Sequence, residues 1–283
     1  MWSILLAMHL VGHVGYTLTL RKSLLTDTDR WALATLMQTA VTLPLVAVPF
    51  FYQLDYSIYT VNTLPVILIG SAMTILLHVS NVKALQYLEA SVYSVIFSLR
   101  IILTTILGIL FLNELFIPFQ IVGGLLIFLA IVTVKQKGTK QTNKLGVQWG
   151  ISAALTISLL TFLEKSIFQQ MTFIDYVVPS WLLATTIMWI ILLLRKTKID
   201  RSILQPQLGM LMIFRALSGY GITLALAVGG LLSVTNYISS LSVILITLFG
   251  VILLGEKDYL KRKLVAAGLA LAGFTSILIT NLL

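Results

Sequence analysis

Arg100 stands in the middle of a run, Ser91–Leu112, that carries no other charge. A guanidinium at the centre of a membrane helix costs about 2.5–3.5 kcal/mol on insertion scales, so it must face protein or water rather than lipid. Two roles fit it: a counter-charge for an anionic group such as a carboxylate or phosphate, or a tie between helices satisfied by backbone carbonyls. Arg215 lies about two turns, or about 10 Å, inside a second apolar run, Leu208–Val228. Its stem can snorkel to the headgroups. Alternatively its charge turns inward beside Ser218, Gly219, Tyr220 and Gly221, where small residues allow close approach. His9 and His13 are one turn apart and share a helix face. They suit a proton relay or a charge sensor near neutral pH, or a pair of neutral imidazoles bonded across helices.

His78 and Asn81 lie one turn apart in another apolar run, and Gln38 sits at a depth similar to that of His13, Arg100 and Arg215. Tyr93, Tyr220 and Tyr237 suit an apolar or ring-containing part of a ligand, and Asn236 with Tyr237 suits an external gate. The candidate substrate-binding set is therefore Arg100, Arg215, His13, His9, His78, Tyr93, Tyr220 and Asn236. Enzymatic roles find less support. The acids are scattered through loops and helix ends, and the one close pair, Asp27 and Asp29, lies among basic residues. Without clustered carboxylates or an activated nucleophile, neither a catalytic residue, a metal site nor a cofactor is expected. No GxxxxGK[ST] loop occurs, which argues against direct ATP driving. Cysteine is absent, so disulfides and thiolate metal sites are excluded.

These side chains must be positioned by membrane helices. The 283 residues are 58% hydrophobic and 10% charged, with a mean hydropathy of +1.00, more apolar surface than a water-soluble domain can hide. Ten segments are long and apolar enough to span about 30 Å of hydrocarbon: Trp2–Leu20, Trp31–Phe51, Leu64–Val82, Ser91–Leu112, Ile117–Val134, Val147–Leu163, Tyr176–Leu194, Leu208–Val228, Leu232–Leu254 and Leu264–Leu282. The runs are continuous rather than alternating, which disfavours a β-barrel. The first lacks the basic flank and small-residue cleavage site of a signal peptide and is expected to be a span. Pro44 and Pro49 are expected to loosen the second.

The formal net charge of +9 reports topology rather than nucleic-acid binding. Threading the loops alternately to two faces puts all but one of the loop lysines and arginines on one side, Lys165 being the exception. The positive-inside rule makes that side cytoplasmic and puts both termini outside. Tyr52, Tyr56 and Tyr59, in the loop Tyr52–Thr63 with no Lys or Arg, then suit an external interfacial belt.

Two stretches 142 residues apart are nearly the same: Ser98–Glu114 reads SLRIILTTILGILFLNE and Ser240–Glu256 reads SLSVILITLFGVILLGE. About half the positions are identical, including Thr105/Thr247, Gly108/Gly250 and Glu114/Glu256. Arg100 is matched by Ser242, so its charge is not repeated. Five spans separate the copies, so they must cross in opposite directions, as in the inverted repeats of secondary transporters. The expected fold is an all-α integral membrane protein of ten transmembrane helices in two inverted five-helix repeats, residues 1–134 and 147–283, joined by a cytoplasmic linker, 135–146. Glu114 and Glu256 are expected to order the turns after the fourth and ninth spans, and Gly123-Gly124 with Gly268 and Gly273 to serve helix packing.

The segment Lys83-Ala-Leu-Gln-Tyr-Leu-Glu-Ala-Ser91, Leu112-Asn-Glu114 before Gly123-Gly124, and Gly255-Glu256 before Ala267-Gly268 resemble the ten-span, EamA-type permeases of the drug/metabolite transporter superfamily. Arg21-Lys22-Ser23 and Glu164-Lys165-Ser166 correspond more faintly. The resemblance implies a bundle in which the first, third, fourth, sixth, eighth and ninth spans surround a central cavity, and it implies export of amino acids or other small metabolites. Family members usually keep their termini in the cytoplasm, against the charge count here. Small multidrug relatives use an acid in the first span for proton coupling, where this chain has His9 and His13.

The expectation is thus a secondary transporter of a small polar or amphipathic, amino-acid-like metabolite carrying an anionic group, working by alternating access. Its partners would be that small-molecule substrate and membrane lipid, with no nucleic acid. Coupling to protons or to a counter-substrate, and a monomeric or homodimeric state, are all compatible with the sequence. The location implied is a prokaryotic plasma membrane, multi-pass. The alternatives are a non-transporting membrane scaffold and an integral membrane enzyme acting on lipids.

Overall fold

The computed structural model describes residues 2–25, 29–112, 119–134, 144–196, 206–229, 232, 235, 239, 241–256 and 260–280. Among these every regular element is helical: α1 Trp2–Ser23, α2 Arg30–Thr42, α3 Leu64–Tyr87, α4 Ala90–Phe97, α5 Leu99–Leu112, α6 Phe119–Val134, α7 Lys144–Ile167, α8 Phe173–Leu194, α9 Pro206–Ala227, α10 Ser242–Leu253 and α11 Leu260–Thr280. Among the described residues, seven helices or joined helix pairs are long and apolar enough to cross a membrane. They coincide with the first, second, third, fourth, sixth, seventh and eighth expected spans. The fifth and ninth are represented by shorter apolar stretches, Val122–Thr133 and Ser242–Leu253. Large apolar side chains such as Phe111, Leu193 and Leu253 point outward and are more than half exposed. Such surface suits hydrocarbon, and the chain is a multi-pass membrane protein.

Local chemistry explains the interruptions. Asp29, one of the two adjacent acids, caps α2 by accepting a hydrogen bond from the Ala32 amide at 2.8 Å. Pro44 and Pro49 do more than loosen the second span, which passes at Leu43 from α-helix into a tighter 3-10 helix, Leu43–Phe50. Near that transition the Val41 carbonyl accepts from the Tyr220 hydroxyl at 2.6 Å. Pro179, inside α8, cannot donate to the Asp175 carbonyl, which instead accepts from the Tyr59 hydroxyl at 2.9 Å. The Val41 and Asp175 carbonyls are thus each met by a tyrosine. The fourth span is broken at Ser98 into α4 and α5, one residue before Leu99 and two before Arg100.

The principal packing pairs are α1 with α9, α6 with α11, α3 with α7, α5 with α7, α2 with α8, α3 with α8, and α4 with α10. The first is close enough for backbones to touch. A Cβ on Gly221 would stand 2.7 Å from the His9 nitrogen and the Leu5 carbonyl oxygen, and Gly12 faces the Ser218 backbone as tightly. In α6 and α11, Gly273 meets the Gly123 carbonyl, whereas Gly268 has nothing within 4 Å. The expected packing role therefore holds for Gly123 and Gly273 but not for Gly268.

At the end of the bundle where α1 and α3 finish, basic groups are tied down. Lys83 lies over the Trp149 ring at 4.2 Å, and Arg21 donates to the Leu85 carbonyl at 2.8 Å. Glu256, after α10, accepts from the Ala90 amide (2.9 Å), the Ser91 amide (3.3 Å) and the Ser91 hydroxyl (2.9 Å), with Arg21 Nε 3.7 Å away. Lys263 pairs with Glu89 and donates to the Glu256 carbonyl at 2.9 Å. Glu256 therefore does not order its own turn alone. It caps α4, a helix of the other half, and closes a buried clasp across α1, α3, α4, α10 and α11.

Candidate functional site

A cavity of about 60 Å³ lies among α1, α3, the α4–α5 break, α7, α8 and α9. His9, His13, Arg100 and Arg215 all reach its wall, so four side chains from three separate runs converge. The break at Ser98 brings Arg100 to the cavity. Ser98 turns its hydroxyl back on the Val95 carbonyl at 2.5 Å, and the Arg100 carbonyl takes hydrogen bonds from Thr104 (2.8 Å) and Ser158 of α7 (3.3 Å). Close α1–α9 packing, possible because Gly12 and Gly221 lack side chains, sets the histidines opposite Ser218. His9 donates through Nδ1 to the Ser218 carbonyl at 2.8 Å, and its ring stacks on His13 at 5.6 Å. That is the cross-helix imidazole bond expected as one of two readings. The His9 Nε2, however, is buried without a partner.

The arginines are the electrostatic centre. Arg100 is 2% exposed, its guanidinium lies over the Phe97 ring at 4.6 Å, and its Nε has no hydrogen-bond partner. Neither a carboxylate nor a carbonyl meets its guanidinium among the described residues, so the satisfied helix tie is not what the geometry offers. Arg215 turns inward rather than snorkelling. Its guanidinium stands 5.9 Å from the Tyr16 ring, and Nη2 is 3.3 Å from His78 Nε2. That imidazole nitrogen also meets the Gln38 side-chain oxygen at 2.8 Å. It cannot donate to Gln38 and accept from Arg215 at once, and the shorter contact prevails. Both guanidiniums therefore face the cavity short of acceptors.

The remaining candidates stand back from it. His78 is fully buried behind Arg215, and Gln38 beside it also reaches Thr42 and the Trp181 carbonyl. Tyr93 is fully buried, stacks on Phe97 at 5.3 Å and donates to the Asn81 side-chain oxygen at 2.6 Å. It supports the wall without forming it. Tyr220 is turned to Val41 and Trp181, away from the cavity. Asn236 and Tyr237 lie outside the described residues, as do Asp27, Glu114 and linker residues 135–143.

One cavity residue escapes the sequence reading. Glu164 is 3% exposed and lines the same space, its carboxylate meeting only the Thr223 hydroxyl at 3.4 Å. The expected sixth span ends at Leu163, whereas α7 continues to Ile167 and carries Glu164 inside. Glu164 is, as expected of the acids, at a helix end, the last turn of α7, but it is buried and faces the cavity, which the sequence reading did not expect. The signal available was spacing: Leu160, Glu164 and Ile167 share a helix face, and only the charge argued for stopping early. Trp181 of α8 also lines the cavity, from a span not expected there. The other walls come from the first, third, fourth, sixth and eighth spans.

At the opposite end of the bundle from the clasp, Asp175 gathers the loop between α2 and α3. Its carboxylate accepts from Thr172 (2.6 Å), Tyr52 (3.3 Å) and the Asp55 amide (3.3 Å). Hydrogen bonds from Ser57 hold the Asp55 carboxyl below its usual range. Burial, then the nearby Asp175 charge, pushes Tyr59 up to about 12. Tyr52 and Tyr59 thus anchor the loop, and Tyr56 stays exposed.

A crystal structure of a protein shares this fold, with a TM-score of 0.69 at 15% sequence identity over 97% of this chain and 98% of the other, a likeness that speaks for the fold alone. No curated protein sequence matches the chain. The EamA-like transporter family model matches residues 1–135, the stretch that supplies α1, α3 and the broken α4–α5 helix to the cavity wall. Over these residues the chain is similar to the EamA-like transporter family, a likeness consistent with membership of the drug/metabolite transporter superfamily.

Proposed function

We propose that the chain is a secondary transporter that carries a small polar or amphipathic metabolite with an anionic group through the cavity by alternating access, export being the direction the family suggests. The observation that carries this reading is the state of the two arginines. A buried charge without a counter-charge is among the most expensive features a protein retains, and inside a membrane bundle such groups mark substrate or ion pathways. Arg100 is buried with its Nε unpartnered, and the half-buried Arg215 presents its guanidinium to the same space with His78 as its one close side-chain contact. A carboxylate or similar anion supplies acceptors to both.

The cavity volume of about 60 Å³ holds a few waters, whereas small-molecule sites usually measure about 300–1,000 Å³. Loading therefore requires the walls to part. Helix pairing supports two inverted five-helix halves as the moving bodies. Exchanging the first span for the sixth and the eighth for the third turns the α1–α9 pair into the α3–α7 pair, the relation an inverted repeat produces. The clasp at Glu256 then closes one end, and the Asp175 cluster ties the other.

A thermal-shift screen of purified protein against metabolites tests the reading, because selective binding to the native state raises its melting temperature. Anion-bearing compounds are expected to stabilise the wild type and to lose that effect in Arg100→Gln. Equal stabilisation of both proteins by every active compound contradicts the assignment.

A further inference from the structure

A second recess, of about 310 Å³, opens on the outer face of the bundle, along the seam between α8 and α2 with its 3-10 continuation. Thr39, Thr42 and Val46 line one side, and Thr185, Thr186 and Trp189 line the other. Leu43, Val46 and Leu193 at its edges are each more than half exposed. Both helices belong to spans, Arg30–Phe50 and Phe173–Leu194, so the recess continues the surface that faces hydrocarbon. Four threonines leave room where Leu or Phe would fill the seam. Their hydroxyls are not offered outward. Thr39 donates to the Thr35 carbonyl at 2.8 Å and accepts from the Trp189 indole N–H at 3.0 Å. Thr186 donates to the Leu182 carbonyl at 2.9 Å and Thr185 to the Trp181 carbonyl at 2.8 Å, while the Thr42 and Thr185 oxygens meet at 2.7 Å. The lining left open is almost wholly carbon.

Water does not suit such walls, since a buried water needs about two to four polar partners. Left empty, the lining would forfeit its dispersion contacts on that side. The pairing of Thr39 with Trp189 and of Thr42 with Thr185 makes the two helices antiparallel, so the recess runs along the spans. From Thr39 to Val46 it extends about 10–12 Å, a slot aligned with the chains of a bilayer. We infer that the recess is a lipid site, filled by one acyl chain of a membrane phospholipid, which braces the α2–α8 seam behind Trp181. Hydrocarbon outside is as apolar as the lining, so the chain is selected by fit rather than by escape from water. The brace follows from a shared wall. The Trp181 carbonyl accepts from Thr185 and lies 3.4 Å from the Thr42 hydroxyl and the Gln38 amide, and Trp181 itself lines the central cavity. A chain pressed on Thr42 and Thr185 holds that wall in place, whatever the cavity carries.

Photolabelling of the full chain tests the site. The protein is reconstituted in vesicles of phosphatidylethanolamine and phosphatidylglycerol containing a phosphatidylglycerol with a diazirine at mid-chain, and labelled residues are mapped after irradiation. Residues 39–46 and 182–193 are expected to take on the order of fivefold more label than the outward face of α6 at Phe128 and Leu129, which is equally open to lipid. Thr186→Phe fills the recess and is expected to bring its label down to the α6 level. Val46→Phe, on the opposite wall, does the same and serves if Thr186→Phe does not fold. Even labelling of the recess and α6 in the wild type overturns the proposal. So does a recess label that survives both filling variants, or one obtained with a free diazirine fatty acid and not with the phospholipid. Hydrogen exchange reads the brace: delipidation is expected to speed exchange across 39–46 and 182–190 in the wild type and to leave the filled variant unchanged. Exchange there that ignores lipid in the wild type overturns the brace.

Discussion

Replacing Glu256 by Gln removes the charge from the clasp while keeping its shape, and the structure allows the loss to be sized. The carboxylate caps α4 through two backbone amides and one hydroxyl, all from the other half of the chain. Losing a side-chain cap costs about 1–2 kcal/mol. Arg21, 3.7 Å away, is left without its counter-charge. Breaking a fully buried pair costs about 3–5 kcal/mol, but Arg21 keeps the Leu85 and Gln86 carbonyls and is partly exposed, so only part of that is expected. The sum is about 2–4 kcal/mol, which for a chain of this size lowers the melting temperature by about 3–7 °C. Thermal unfolding of purified protein in detergent measures it, with Lys261→Ala, an exposed neighbour, as the control. A Glu256→Gln variant melting within about 1 °C of wild type, well inside the shift expected for lost caps, would refute the assignment of Glu256 as a cross-half cap.

Glycine substitutions separate backbone contact from empty space. Gly221→Ala is expected to destabilise by about 1–3 kcal/mol through overpacking against α1, and Gly268→Ala to stay within about 0.5 kcal/mol of wild type; equal melting temperatures would contradict the α1–α9 geometry. The Tyr59 anchor has a definite pH window. Its folded value is raised to about 12 from 10.0, so its contribution is whole below pH 10.0 and is lost as pH climbs through about 12. Proteolysis of the loop 52–63 should rise in the wild type only in that window, whereas Tyr59→Phe, which lacks the hydroxyl, should be cleaved faster at every pH without that window; onset near neutral pH in the wild type would contradict it. Orientation is tested with single cysteines at Ser57 and Thr139, which the cysteine-free chain makes simple. An impermeant reagent applied to intact cells is expected to label Ser57→Cys and spare Thr139→Cys, and the reverse pattern would invert the topology.

The helices were legible because apolar runs of span length leave few alternatives, and the charge asymmetry orders their ends. Arg100, Arg215, His9 and His13 were legible for the same reason in reverse, as costly groups inside cheap surroundings. Glu164 was not, because the reasoning that ends a span at its first charge places the acid in a loop and hides it from the cavity. Tyr93 and Tyr220 show the opposite error. An aromatic in a span looks like a wall residue, but where each hydroxyl goes, to Asn81 or to the Val41 carbonyl, is decided by a neighbouring helix that sequence does not place. Glu256 looked like a local turn former because its partners, Ala90 and Ser91, belong to the other half.

Flux through reconstituted protein tests the central claim most directly. A ligand that stabilises the wild type is loaded into proteoliposomes, and its movement down a gradient is followed for wild type and Arg100→Ala side by side. Saturable flux in the wild type that falls to the rate of empty liposomes in Arg100→Ala, with the variant still folded, is the predicted result. Undiminished flux in the variant, or none in a wild type that binds the ligand, would contradict a carrier built around that arginine.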